Sequence, residues 1–287
     1  MYKNNLKIGD IILVSGLRPG VGTSTSAAML ASVLSARGEK TLLLSLDSDV
    51  PFDAASLLSD DAADDHLDEM VVLENSNGLN DSNIQDYVTF ITENLAYSKS
   101  STKISRLTKD PARTINHIMD IACYQFRFVV LDMGYANIVD PSLYYEKASL
   151  VLFHLTQDGK GVATARDYFK QEPFGDNMYV VPLIANFVEE LSFDDAYFEK
   201  LLKFDCVFAM NHDPELFDMC NKRDIANFCI KNIKEKTSGG KQGLFGRKKK
   251  MAVDGDVEIN PSVNGYNFIA DKVLECLVHE EPEEGKA

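Results

Sequence analysis

Apolar residues along this chain follow two patterns: short uninterrupted runs, and longer stretches in which they recur every three or four positions. Ile11, Ile12, Leu13 and Val14 form the first run, and Ala27, Ala28, Leu30, Ala31 and Leu34 follow at helical spacing from about Ser24. Further runs lie at 41–46, 128–131, 148–155 and 179–186. Helical patterns lie at 163–169 and 264–279, the latter with Phe268, Ile269, Val273, Leu274 and Leu277 placed to cover the domain. Residues 79–91 read as a short helix. Unbroken runs of this length predict strands buried on both faces, and the periodic stretches predict the helices that bury them. The alternation of the two predicts an α/β fold, a doubly wound, mainly parallel sheet with helices on both faces.

Between the first strand and the first helix lies the sequence Gly-Leu-Arg-Pro-Gly-Val-Gly-Thr-Ser-Thr, residues 16–25. Glycines at a strand-to-helix turn let the backbone approach an anion closely, and the helix N-terminus behind them favours negative charge. Pro19, Gly20, Val21, Gly22, Thr23, Ser24 and Thr25 are therefore the candidate phosphate cradle. Ser24, with Thr25 beside it, stands where a hydroxyl would ligate Mg²⁺. The strict phosphate-loop pattern fails twice: Leu17 occupies the place of its first glycine, and Thr23, which is uncharged, the place of its lysine.

Residues 18–25 resemble the deviant Walker A loop, K-G-G-x-G-K-[ST]-[ST], of the MinD/ParA family of dimerising ATPases, within the P-loop NTPase fold. Arg18 falls on that family's signature lysine, which reaches the partner subunit's nucleotide, so the resemblance implies a catalytic role for Arg18 at a dimer interface. Pro19 replaces the family's first glycine, and the Gly-Thr-Ser-Thr ending is similar to the loop of some TadZ-type pilus-localisation proteins. The resemblance continues through residues 41–49, where Asp49 matches the carboxylate that positions the attacking water and Asp47 its neighbour toward the metal. Without it, both acids read equally as a solvated strand end. Asp132, closing the run 128–131, is similar to a Walker B carboxylate and implies a place beside Mg²⁺. Asn186 stands at the family's adenine-contacting position, where an amide offers both a donor and an acceptor, and reads otherwise as a strand-end turn residue. Residues 210–216 resemble the family's base-packing segment, with Asn211 in place of its proline. His154, inside an apolar run, reads as a hydrogen-bonded core or strand-end histidine rather than a ligand. The resemblance covers roughly residues 8–230 and implies ATP/ADP and Mg²⁺ as cofactors and a nucleotide-dependent homodimer.

Composition narrows the function classes. The 287 residues carry a net charge of −15 with pI near 4.7, which opposes sequence-independent DNA binding and so disfavours a plasmid-partition role. Charge is uneven: residues 231–250 hold eight basic side chains and Glu235, a local +7, leaving −22 on the remainder. The Gly-rich core of that tract reads as a loop over 236–260, between a domain at 1–235 and a helix at 261–279, with an acidic tail at 280–287. Residues 241–250, with Leu244 and Phe245, give either a weak peripheral membrane contact or a solvated charge run. Asp60, Asp61, Asp64 and Asp65 lack Ca²⁺-loop spacing and read as surface charge. The five cysteines lack paired spacing and are expected to be reduced and mostly buried. No signal sequence or membrane-length apolar run is evident, so the expected location is cytoplasmic, with peripheral contact at the inner membrane face. With Thr23 for lysine, hydrolysis is expected to be slow at most. The leading reading is a nucleotide switch serving a membrane-associated machine through a protein partner. Its rivals are a scaffold that no longer binds nucleotide and a partition protein.

Overall fold

The computed structural model describes residues 9–46, 53–59, 66–135, 140–171, 178–204, 206–238 and 260–278. Its strands and helices are, in chain order, β1 (Asp10–Gly16), α1 (Thr23–Ala36), β2 (Thr41–Ser45), α2 (His66–Asn75), β3 (Thr89–Phe90), β4 (Leu95–Lys99), α3 (Ile104–Leu107) and α4 (Pro111–Ala122). They continue with β5 (Phe128–Tyr135), β6 (Leu150–Leu155), α5 (Gly159–Gln171), β7 (Tyr179–Phe187), α6 (Asp195–Leu202), β8 (Phe208–Asn211), α7 (Pro214–Lys222), α8 (Ile225–Ser238) and α9 (Pro261–Val278). Among the described residues the strands form one sheet in the order β3-β4-β2-β5-β1-β6-β7-β8. Every pairing is parallel except β3 with β4. Crossing helices cover both faces, so the fold is the doubly wound α/β architecture expected.

Side chains alternate across the pleat, and the two faces form separate cores. Leu13, Leu42, Leu44 and Leu131 point to the layer containing α2, α4, α5 and α6, while Ile12, Val14, Leu43 and Val130 meet α1, α8 and α9. Burial on both faces explains why the runs at 11–14 and 128–131 are apolar throughout rather than alternating. Helix α1 is itself enclosed: Ala27, Ala28 and Ala31 are fully buried, small enough for the helix to lie close to the sheet beneath α8 and α9.

Several expectations are corrected. Residues 79–91 form a single 3₁₀ turn at Ile84–Tyr87 and then strand β3, not a helix. Asn80 and Asn83 cap local backbone groups there, competing with helical bonds, and Thr89 and Phe90 pair with β4 instead. Helix α9 buries Val263, Tyr266, Ile269, Ala270 and Val273, whereas Phe268, expected to cover the domain, is 50% exposed. Cys123 and Cys229 are buried, but Cys206 is exposed and Cys220 and Cys276 are partly so, correcting the expectation of mostly buried thiols. Helix α8 runs past the 235 boundary, and Asn260, assigned to the loop, is buried and caps α9 by accepting from the Ser262 and Val263 amides. The tracts 241–250 and 280–287 and the acids at 60–65 lie outside the described residues. No helix among the described residues is long and apolar enough to cross a membrane.

Candidate functional site

The glycine-rich segment leaves the carboxyl end of β1, an interior strand flanked by β5 and β6, and turns directly into α1. Gly20 and Gly22 adopt φ of +75° and +95°, a left-handed region that side chains disfavour, and Gly22 is the N-cap of α1. No side chain caps that helix, so its first amides are left to face a ligand. The space around Gly20 is open, while Pro19 and Gly20 lie exposed at the tip. Gly16 is required for a different reason: a Cβ there would lie 2.6 Å from Val21 Cγ2 and 2.7 Å from Thr23 Oγ1. Thr23 is thus buried with its hydroxyl against the base of the loop.

His154 supports the loop from below. It is fully buried on β6, and its Nδ1–H donates to the Val21 carbonyl at 3.1 Å. A Cβ at Gly22 would meet only ordinary contact, 3.8 Å from the imidazole Cε1, so it is the φ of +95° that calls for glycine there. Burial pushes the His154 pKa down from 6.5 to about 4, so the ring is neutral at pH 7. Because the folded pKa lies below the unfolded one, the unfolded chain binds more protons between these values and stability falls as the pH drops through this window. Lowering the pH from 7 to 5 should cost about 2 kcal/mol through this group. Urea unfolding of wild type and His154→Gln at both pH values checks this, the variant being expected to lose correspondingly less.

Asp132 ends the apolar part of β5, in register with Val14 of β1 and Ser45 of β2, and is completely buried. Its Oδ1 accepts from the Gly134 amide at 3.1 Å and its Oδ2 from the Ala54 amide at 3.3 Å. These bonds hold a carboxylate at the strand end nearest the loop. Asp47 and Asp49 lie outside the described residues. Ser24 and Thr25 are both partly exposed in the first turn of α1. Among the described residues no three His, Cys, Asp or Glu side chains cluster as metal ligands. A Mg²⁺ ion would instead use the Ser24 hydroxyl, with phosphate and water oxygens and the Asp132 carboxylate close by, a set that suits its preference for retaining water.

Arg18 is not directed into the loop. Its Nη1 pairs with Asp158 Oδ2 at 2.5 Å, both side chains being partly exposed. Asp158 also caps α5, and its carboxyl is held below the usual range first by the Gly161 amide and further by Arg18.

A cleft opens beside the loop and brings together Gly22, Thr25, Asn186 and Asn211, four of the residues singled out from sequence. Strand β7 bulges at Asn186, which takes φ of +58°, a conformation asparagine tolerates. Met210, His212 and Leu216, from the segment 210–216 expected beside the base, also line it, whereas Phe217, Ser262 and Tyr266 are lining residues that the sequence reading missed. Tyr266 enters from α9 and hydrogen-bonds Ser26, and Phe217 lies on α7, whose N-cap Asp213 accepts from the Glu215 and Leu216 amides. The Asp213-Pro214 pair is a helix-start signal readable in sequence. Apolar walls with a few amides suit a flat heterocycle, and the cradle of Gly20, Gly22 and Ser24 beside it suits a polyphosphate. The residues present therefore fit a nucleotide.

A glycine-rich loop between a central parallel strand and a helix is shared by P-loop and dinucleotide-binding α/β folds. The solved structures it resembles give the chain a MinD/ParA-like fold. It is similar to a ParA family ATPase from Chlorobium tepidum TLS (TM-score 0.65, 14% identity, 81% of this chain and 93% of that one). It is similar also to the cell division ATPase MinD of Pyrococcus furiosus (TM-score 0.65, 13% identity, 93% and 99%). A third neighbour is the septum site-determining protein MinD from Pyrococcus horikoshii OT3, complexed with Mg-ADP (TM-score 0.59, 13% identity, 81% and 98%). No protein-family profile and no curated protein sequence matches the chain.

Proposed function

We propose that this protein is an adenine-nucleotide-binding switch that dimerises with ATP, hydrolyses it slowly or not at all, and positions or organises a cell-envelope assembly such as a pilus, secretion or conjugation machine. The observation that carries the binding reading is the junction of the uncapped α1 N-terminus, with Gly20 and Gly22 in left-handed geometry, and the cleft lined by Asn186 and Asn211. A bound Mg²⁺-nucleotide would supply a triphosphate whose charge the protein must neutralise. Here the loop amides hold the phosphates, Ser24 and Asp132 serve the metal, and Asn186 and Asn211 meet the base. Thr23 brings no charge to the phosphates, and lysine normally supplies that charge as it develops during phosphoryl transfer, so slow hydrolysis follows. The envelope assignment draws on the TadZ-like loop ending and on the basic residues 241–250, which would add about 1 kcal/mol each near an anionic bilayer. The buried, uncharged Thr23 equally favours a second reading, a scaffold that keeps the fold without binding nucleotide. Calorimetric titration with ATP and Mg²⁺ separates the two: heat supports the switch, and silence the scaffold. The net charge argues against DNA partition.

The Arg18–Asp158 pair sets a condition on dimerisation. An exposed ion pair contributes roughly 0–1 kcal/mol, so a partner's phosphates could displace Asp158. Light scattering with ATP and Mg²⁺ should show less dimer for Arg18→Ala and more, by up to about fivefold in association constant, for Asp158→Ala. An unchanged dimer fraction in both variants would remove Arg18 from the interface.

A further inference from the structure

We infer that His154 is a positioning residue for the phosphate site: by holding the Val21 carbonyl beneath the loop, it turns the next amide, that of Gly22, toward the ligand. The inference rests on the nucleotide reading above. A carbonyl only accepts, so its 3.1 Å contact with the ring makes Nδ1 the protonated nitrogen, and Nε2 is left buried with no partner among the described residues. The peptide joining Val21 to Gly22 is trans, and in a trans peptide the C=O and the N–H point in opposite directions. With the Val21 carbonyl drawn to the imidazole, the Gly22 amide is sent the other way. No acceptor among the described residues meets that amide, whereas the Gly22 carbonyl is used inside α1, where it accepts from the Ser26 amide at 2.9 Å.

Local backbone preference does not choose this arrangement. Glycine takes φ of either sign at similar cost, so the peptide before Gly22 is able to invert and carry its N–H to the opposite side. The observed φ of +95° is one of two accessible states, and the bond from His154 selects it. The imidazole is a firm anchor for that purpose. It is fully buried on the interior strand β6, in register with Gly16, and the His154 carbonyl also accepts from the Leu17 amide at 3.5 Å. One residue therefore ties the loop at its start through the backbone and near its end through the side chain. Thr23 brings no cation to the phosphates, so recognition falls on the loop amides, and the direction of each one matters more.

The test compares His154→Asn with His154→Leu. Asparagine places a side-chain N–H close to the position of the imidazole Nδ1–H, whereas leucine has nearly the same shape and no donor. Calorimetry with ATP and with inorganic tripolyphosphate, each with Mg²⁺, reads the phosphate site with and without a base. His154→Leu should weaken both ligands by the same factor, roughly threefold to tenfold, the worth of one hydrogen bond, and His154→Asn should recover most of the loss. A His154 that only filled space would leave the two variants alike, since both open the same cavity. In the unliganded wild type, a long-range proton–nitrogen NMR correlation spectrum should place the ring proton on Nδ1, a measurement that stands even where the leucine variant does not fold. A proton on Nε2, equal affinities in the two variants, or a loss confined to ATP overturns the inference and leaves the nucleotide reading intact. A wild type that binds neither ATP nor tripolyphosphate overturns both.

Discussion

Alanine at position 16 should abolish the thermal-shift response to ATP while leaving the free protein cooperatively folded. The added Cβ would lie 2.6 Å from Val21 Cγ2 and 2.7 Å from Thr23 Oγ1, with His154 Cβ 3.4 Å away. Val21 and Thr23 are β-branched and buried, so they cannot swing aside; relief comes from displacing the loop that carries them. Overpacking of this size costs about 1–3 kcal/mol, tolerable against the 5–15 kcal/mol typical of a domain. The ligand suffers more, because the amides that meet phosphate belong to the displaced segment, and a loss of at least a hundredfold in affinity is expected. At a concentration 100 times the wild-type dissociation constant, that loss removes most of about 2.7 kcal/mol of ligand stabilisation. Gly20→Ala is the contrast: its φ of +75° makes the change strained, but nothing lies within 4 Å of the new Cβ, so the loop keeps its place. An ATP response in Gly16→Ala equal to wild type would mean that binding does not depend on this loop.

The second large effect concerns Asp132. The near-isosteric Asp132→Asn should lower affinity for Mg²⁺-ATP at least tenfold and leave affinity for ATP in EDTA unchanged, since it removes the negative charge while keeping one acceptor in place. Asp132→Leu should in addition destabilise the fold by about 2–5 kcal/mol, because the Gly134 and Ala54 amides lose their buried acceptors at roughly 1–3 kcal/mol each. Calorimetry with and without the metal, together with urea unfolding of both variants, distinguishes these contributions. Equal losses of ATP affinity with and without Mg²⁺ would assign Asp132 to architecture alone.

Legibility in the sequence tracked the range of the interactions involved. The unit of β1, loop and α1 could be read because its strand, its glycines and its helix are consecutive and each is governed by local rules. The same holds for Asp132, which simply terminates a buried run. Between 66 and 122 only residues 79–91 were read, as a helix they do not form. Helix α4 did carry a local signal, with Asp110 accepting from the Arg113 amide ahead of Pro111 at the first turn, and Ile115, Ile118, Met119 and Ala122 on its buried side. The β3–β4 hairpin carried none of comparable strength, because β3 is two residues long and exists through pairing with β4.

The amino-acid order by itself determined the layered α/β fold, the position of the glycine-rich turn, and the replacement of a lysine by an uncharged threonine, because each follows from neighbouring residues and the periodicity of burial. Only the folded chain decided how the side chains are engaged: Arg18 to Asp158 across 140 positions, Ser26 to Tyr266 across 240, and Asn186 to His212 across 26. Those partners arrive from β7, β8, α5 and α9, which the winding of the sheet brings to the same end as the loop, and no local pattern in the sequence encodes such a meeting.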